Sequence, residues 1–389
     1  MGGNVWRTIG RKLTGTDRSD SQCAHAGARG VRTDGCMCEQ PCIGRRLVHR
    51  VRAREGMVLL GPRVSMPNVL HVAIGGGRVL CDAMDSNSPR DGDLQGQRDP
   101  ATGRWTLLGS SASPVFREAL ELQLNALDPV FARAQATSDF EFILSLLRVR
   151  GLSFAPDPYE TTLRAIPLIE KILGQVDAEA EKHLALWMYG HIFEADEPYE
   201  LLANLTAVAG GGRYSMDRFP PRNDRRQSPG EKIRQLQQMA TINNLGGAFD
   251  LLSKAWDRDL RNAAFHADYA ITQDCLQLGS PFKKYAWDDF NNLMNRALAY
   301  HVAHSSLFKF FIGTYREPEI IAVPAAFSTA PGVRAWVMVR EGYGAVGIKD
   351  AWSPEEIRRG QIPFHIARLS AEESRMATAD PGRVLFPRE

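Results

Sequence analysis

The sequence contains no apolar run approaching the roughly 20 residues that a membrane-spanning helix needs. No apolar block follows the basic residues of its first twenty positions, so it offers no secretory signal either. A cytoplasmic protein without a membrane partner is the expectation. Cysteine is scarce: Cys23, Cys36, Cys38, Cys42 and Cys81 lie early, and Cys275 stands alone. Cys36, Cys38 and Cys42, with Cys23 and His25 upstream, lack the paired two-residue spacing of a structural zinc site. Unpaired thiols are expected, with no metal and no cofactor. Gly75-Gly76-Gly77 lacks the strand, the helix and the spaced glycines of a phosphate-binding loop and reads as a turn.

A strong charge of one sign is also missing. The formal net charge is +2, yet residues 1–54 carry eleven Lys and Arg against four Asp and Glu, so the remainder is net negative. A body of that sign draws in no polyanion through bulk electrostatics, and any contact with RNA must come from a local patch. Such a patch is offered by Arg213, Arg218, Arg222, Arg225 and Arg226, in a stretch whose only acids are Asp217 and Asp224. A solvated loop is the plainer meaning of the same run.

With 389 residues the chain can hold two or three domains. Residues 1–111 are rich in Gly, Arg, Ser and Asp, show no sustained period, and are expected to form a basic leader that is disordered or non-globular. Short apolar pieces at Met57–Leu60 and Val69–Ile74 suggest a hairpin, the one element expected there. Composition also raises the expectation that the functional protein starts downstream, at Met57 or Met84. From Ser113 the pattern becomes that of amphipathic helices, giving an N-terminal helical region over residues 112–178. A second helical region spans residues 179–316. It includes a restart at Asp196-Glu197-Pro198, with Asp196 as the expected cap, and a capping box at Ser228 to Glu231. Its last helix runs from Trp287 to Phe311. There His301 and His304, three apart, could share a ligand, although no third ligand is evident; His183 and His191 are placed no better. Beyond Pro318, Ile320–Phe327, Val333–Val339 and Tyr343–Ile348 read as strands, followed by a short helix capped at Ser353. The expected fold is therefore mainly α: a helical bundle, a small α+β region over residues 317–389, and a poorly ordered N-terminal segment.

Chemistry concentrates between Asp257 and Tyr269. Phe249, Leu252, Trp256, Leu260, Ala263 and Ala267 recur at steps of three and four, the stripe of one helix facing a core. Asn262, His266 and Tyr269 then fall along one polar side, an amide, an imidazole and a phenol within reach of each other. Arg261 is harder to place, because five residues of ideal helix carry it about 140° around the axis from His266. A break in the helix or a second copy would have to bring them together. A plainer reading also stands. Asp257 and Arg261 are spaced for a helical ion pair, and His266 could be a hydrogen-bonded histidine at the edge of a core.

Arg261-Asn262-Ala263-Ala264-Phe265-His266 resembles the signature of the HEPN family: an arginine, a polar residue directly after it, and a histidine within four to six residues. The resemblance covers roughly residues 179–316. It implies a helical bundle that pairs two-fold as a homodimer and cleaves RNA without metal, in stress response or in defence against foreign nucleic acid. In such a site the imidazole of His266 moves a proton at the ribose 2′-hydroxyl or the leaving oxygen, and the Arg261 guanidinium steadies the phosphate as charge builds. Asn262 would orient either of them. Tyr269, Arg258 and Arg213 are the candidate substrate contacts. Some relatives of this bundle work beside a nucleotidyltransferase-like partner, which nothing in this sequence identifies. The alternative class is a non-catalytic helical scaffold whose motif lines a groove for a nucleotide, RNA or a protein partner.

Overall fold

A computed structural model describes residues 69–75, 78–80, 94–109, 112–147, 158–173, 175–222, 224–324, 333–340, 342–358 and 365–367. All belong to the compact unit Ser65–Glu389. Cys23, His25, Cys36, Cys38, Cys42, Met57, Cys81 and Met84 lie outside the described residues, so the thiol cluster, the downstream starts and most of the basic leader find no structural counterpart here.

The described part of the expected leader does pack. Strands β1 (Val69–Gly75), β2 (Arg78–Leu80), β3 (Leu94–Arg98) and β4 (Trp105–Leu108) form an antiparallel sheet in the order β2-β1-β3-β4. Side chains that the composition hides pin it down. Trp105 is fully buried, and its indole N–H donates to the Asp128 carboxylate at 2.9 Å. Arg98 grips both oxygens of the same carboxylate at 2.8 Å, a forked pair well suited to a partly buried site.

Asp128 belongs to α1 (Pro114–Thr137), capped as expected by Ser113, whose hydroxyl accepts the Phe116 N–H at 3.2 Å. Helices α2 (Asp139–Leu147), α3 (Pro158–Leu173), α4 (Ala178–Glu194) and α5 (Asp196–Ala209) follow. Asp196 is not the cap of α5. The cap position falls on Ala195, which offers no side-chain bond, and the Asp196 carboxylate instead meets the buried Lys232 ammonium. Helix α6 (Pro229–Ile242) opens with the expected Ser228–Glu231 capping box.

The central helix expected through Trp256 is broken in two, α7 (Asp250–Ala255) and α8 (Arg258–His266). Strands β5 (Tyr269–Ile271), β6 (Cys275–Leu278) and β7 (Lys283–Ala286) then make a three-stranded antiparallel sheet ahead of α9 (Trp287–Ile312). This sheet is absent from the sequence reading, because three- and four-residue strands leave too short a period to detect. At the C-terminal end, β8 (Ile320–Ala322), β9 (Arg334–Arg340), β10 (Gly344–Asp350) and β11 (His365–Ala367) pair in the order β11-β10-β9-β8. A short α10 (Pro354–Arg358) is capped reciprocally by Ser353 and Glu356.

The fold is mainly α, with small antiparallel sheets. The two long helices α1 and α9 pack together, α5 closes on α1, and α4 lies against α3, α8 and α9. Stacked rings fill the seams: Phe131 with Phe311 at 5.4 Å, and Phe193 with Tyr300 at 6.3 Å. No helix among the described residues is long and apolar enough to cross a membrane.

Candidate functional site

The break before α8 has a local cause and a tertiary one. Asp257 accepts the N–H groups of Asp259 and Leu260 at 2.9 and 3.1 Å, the bonds of an N-cap, so a new helix starts there. Its second carboxylate oxygen accepts from the Lys283 ammonium at 2.8 Å and the Tyr285 hydroxyl at 2.7 Å, both on β7. Its N–H donates to the hydroxyl of Tyr189 on α4 at 2.7 Å, and that hydroxyl donates to the Ala255 carbonyl at 2.9 Å. Burial raises the Asp257 carboxyl, but Lys283, the Leu260 N–H and Tyr285 outweigh it and hold the group below its ordinary value. The start of α8 is thus clamped from three elements.

Nine residues later the helix stops. Ala267 turns left-handed, with φ 53° and ψ 31°, and its N–H returns to the Ala263 carbonyl. Leu260, Ala263 and Ala264 are buried. Tyr269 therefore does not extend the polar face of the helix. It opens β5 and pairs with His183 of α4, whose Nδ1 lies 2.8 Å from the phenolic oxygen.

Arg261 does not pair with Asp257 as the spacing suggested. The Nε and Nη2 groups of its guanidinium both meet the carboxylate of Glu194, at the end of α4, while Nη1 donates to the Asn262 side-chain oxygen at 2.8 Å. The guanidinium also lies 5.3 Å from the ring centroid of Phe265. That ring rests on Gly190 of α4, where a Cβ would come within 2.8 Å of it. His266, the last residue of α8, is exposed. It makes no hydrogen bond or ion pair with the described residues.

Arg261, Asn262 and His266 thus occupy one short helix, and Arg258 is exposed on its first turn. Arg213 belongs to a different neighbourhood. It follows α5, is exposed, and its carbonyl accepts from Arg218. Arg218 itself is spent on structure: Nε donates to Asn204 at 2.8 Å, and its N–H donates to Glu200 at 3.0 Å. Nearby, burial pushes the Glu141 carboxyl above its ordinary range, against the Tyr214 N–H and the charges of Arg213 and Arg218. Arg225 and Arg226 reach Glu231 at 3.4 Å and Asp196 at 3.9 Å. Of this arginine-rich stretch, Arg218 is held in structure, whereas Arg225 and Arg226 make ion pairs from side chains 75% and 90% exposed.

His301 and His304 are both buried, their rings edge to face at 5.2 Å. Among the described residues no group of three or more His, Cys, Asp or Glu side chains is placed to hold a metal ion. Glu194, Gly190 and Phe265 escaped the sequence reading. Glu194 is 67 residues from Arg261 and carries no local signal. Phe265 could have been found, since it falls off the apolar stripe of its helix. Comparison with protein-family models, curated proteins and solved structures gives no match.

Proposed function

We propose that this protein is a metal-independent endoribonuclease of the HEPN type, acting as a homodimer, with Arg261, Asn262 and His266 at its site. One observation carries the reading. Asn262, which receives the Arg261 guanidinium at 2.8 Å, lies between Arg261 and His266 around the helix, one turn before the imidazole. The paired cation and amide thus lie one helical turn from an exposed imidazole on the same helix. There His266 takes the proton of a ribose 2′-hydroxyl as its oxygen bonds to the adjacent phosphorus. The P–O5′ bond breaks, the leaving oxygen takes a proton from water, and Arg261 stabilises the charge on the non-bridging oxygens.

RNA incubated with the purified protein in EDTA tests this. Cleavage is expected to persist with chelator and to fall by about 100-fold or more in His266→Ala, the scale of a lost general acid–base group. The melting temperature should hardly change, because the ring is exposed. Equal cleavage by wild type and variant would remove His266 from the mechanism.

One observation favours the second reading, a non-catalytic RNA- or partner-binding scaffold. Glu194 neutralises Arg261, which a phosphate would have to displace or approach from another side. That reading expects no turnover, and a loss of affinity or of dimer in Arg261→Ala.

A further inference from the structure

We propose that Phe265 is a stacking platform that positions an unpaired nucleobase beside His266; this rests on the ribonuclease reading above. Phe265 directly precedes His266 and is 52% exposed, although Leu260, Ala263 and Ala264 of the same helix are buried. A large apolar ring left half in water on a polar face stabilises the fold little. Even so, it is held in position. The Cε2, Cζ and Cδ2 edge of the ring sits on Gly190, a position that admits no side chain without a shift. The Arg261 guanidinium approaches to 5.3 Å from the ring centroid. The ring is fixed between backbone and cation, and the rest of its surface faces solvent.

An aromatic ring joined to a guanidinium matches the two parts of a nucleotide, a base that stacks and a phosphate that carries charge. Neighbouring positions extend the same pattern. Trp187 is 54% exposed and lies three residues before Gly190, hence on the same side of α4. Phe282, 67% exposed, has the Lys284 ammonium 5.7 Å from its ring centroid. It sits in the β6–β7 turn, which is tied to the end of α8 by the Gly279 N–H donating to the Asp268 carbonyl at 3.0 Å. In a duplex the base faces are already stacked on one another, so exposed rings can engage only unpaired bases.

A 2′-O-methyl RNA strand, which lacks the hydroxyl needed for cleavage, separates binding from turnover. Its affinity is measured alone and as a duplex, by fluorescence anisotropy, for wild type, Phe265→Ala, Phe265→Leu and Phe265→Tyr, each checked for an unchanged melting curve. Wild type should prefer the single strand. The Ala and Leu variants should lose about fivefold or more of that affinity with duplex binding unmoved, and Tyr should stay near wild type. Single-strand binding equal to wild type in Ala and Leu overturns the proposal. So does conversion of a dimer to a monomer in those variants with affinity per subunit unchanged, since the face would then belong to a second copy of the chain. Wild type that binds neither form sinks the ribonuclease reading itself, whereas binding indifferent to Phe265 sinks only the stacking role.

Discussion

The residue after the candidate imidazole shows how closely the backbone constrains this corner. Ala267 adopts φ 53°, a left-handed conformation that costs an L-residue roughly 1–2 kcal/mol and costs glycine almost nothing. Most helices that end this way place glycine there. Ala267 is exposed, so its methyl group contributes little packing in return. Ala267→Gly is therefore expected to stabilise the protein by about 1 kcal/mol, read as a higher urea midpoint at unchanged m-value. A lower midpoint would show that the methyl group does more than the backbone geometry indicates. Because the strain sits one peptide from His266, the same variant also probes function: if the left-handed turn fixes the direction of the imidazole, cleavage should fall as stability rises.

At the scale of elements, the sequence was legible wherever the signal was local. Ser113, the Ser228–Glu231 box and Ser353 cap α1, α6 and α10 as read, because a cap and its partners lie within a few residues. It was opaque wherever a partner was remote. The apolar stripe from Phe249 to Ala267 reads as one helix, yet Asp257 breaks it through contacts 26, 28 and 68 residues away. Asp196 looked like a cap and is instead the counter-ion of Lys232. The candidate site divides in the same way: Arg261, Asn262 and His266 were visible as a motif, whereas Glu194 and Gly190 enter only through packing. Asp257 is the element-scale test of this account. Asp257→Ala removes the cap of α8 and strands the Tyr285 hydroxyl, which together should cost about 2–3 kcal/mol. Asp257→Asn keeps an acceptor for the cap and should cost less. The carboxyl is held below its ordinary value, so its contribution is present above the usual carboxylate range and is lost as pH falls through the depressed folded value. Both variants should therefore flatten that part of the acid-unfolding curve. A wild-type curve in Asp257→Ala would mean that the clamp does not set the stability of α8.

For the whole molecule, the helix through the centre decides how the fold answers to acid. Every residue of α9 from Tyr300 to Phe308 is buried, so no side of this stretch meets water, and His301 has nowhere to place a charge. Burial first, then the neighbouring His191 of α4 and Lys309, the residue that follows the buried run, lower His301 to about 3. Burial lowers His191 as well. Both folded values lie below the ordinary histidine value of about 6.5, so below that pH the unfolded chain takes up protons that the folded protein refuses. For His301 this contribution is complete above about pH 6.5 and is lost as pH drops toward about 3, by up to about 1.4 kcal/mol per pH unit, and His191 acts in the same direction. His301→Leu removes one of these protons from the balance. Whatever its effect at neutral pH, its stability should decline less steeply than wild type between pH 6 and about 4, as measured by urea unfolding at a series of pH values. Parallel acid limbs for the two proteins would show that His301 takes up its proton without unfolding the centre, and that α1 and α9 are packed more loosely around it than the buried run of α9 implies.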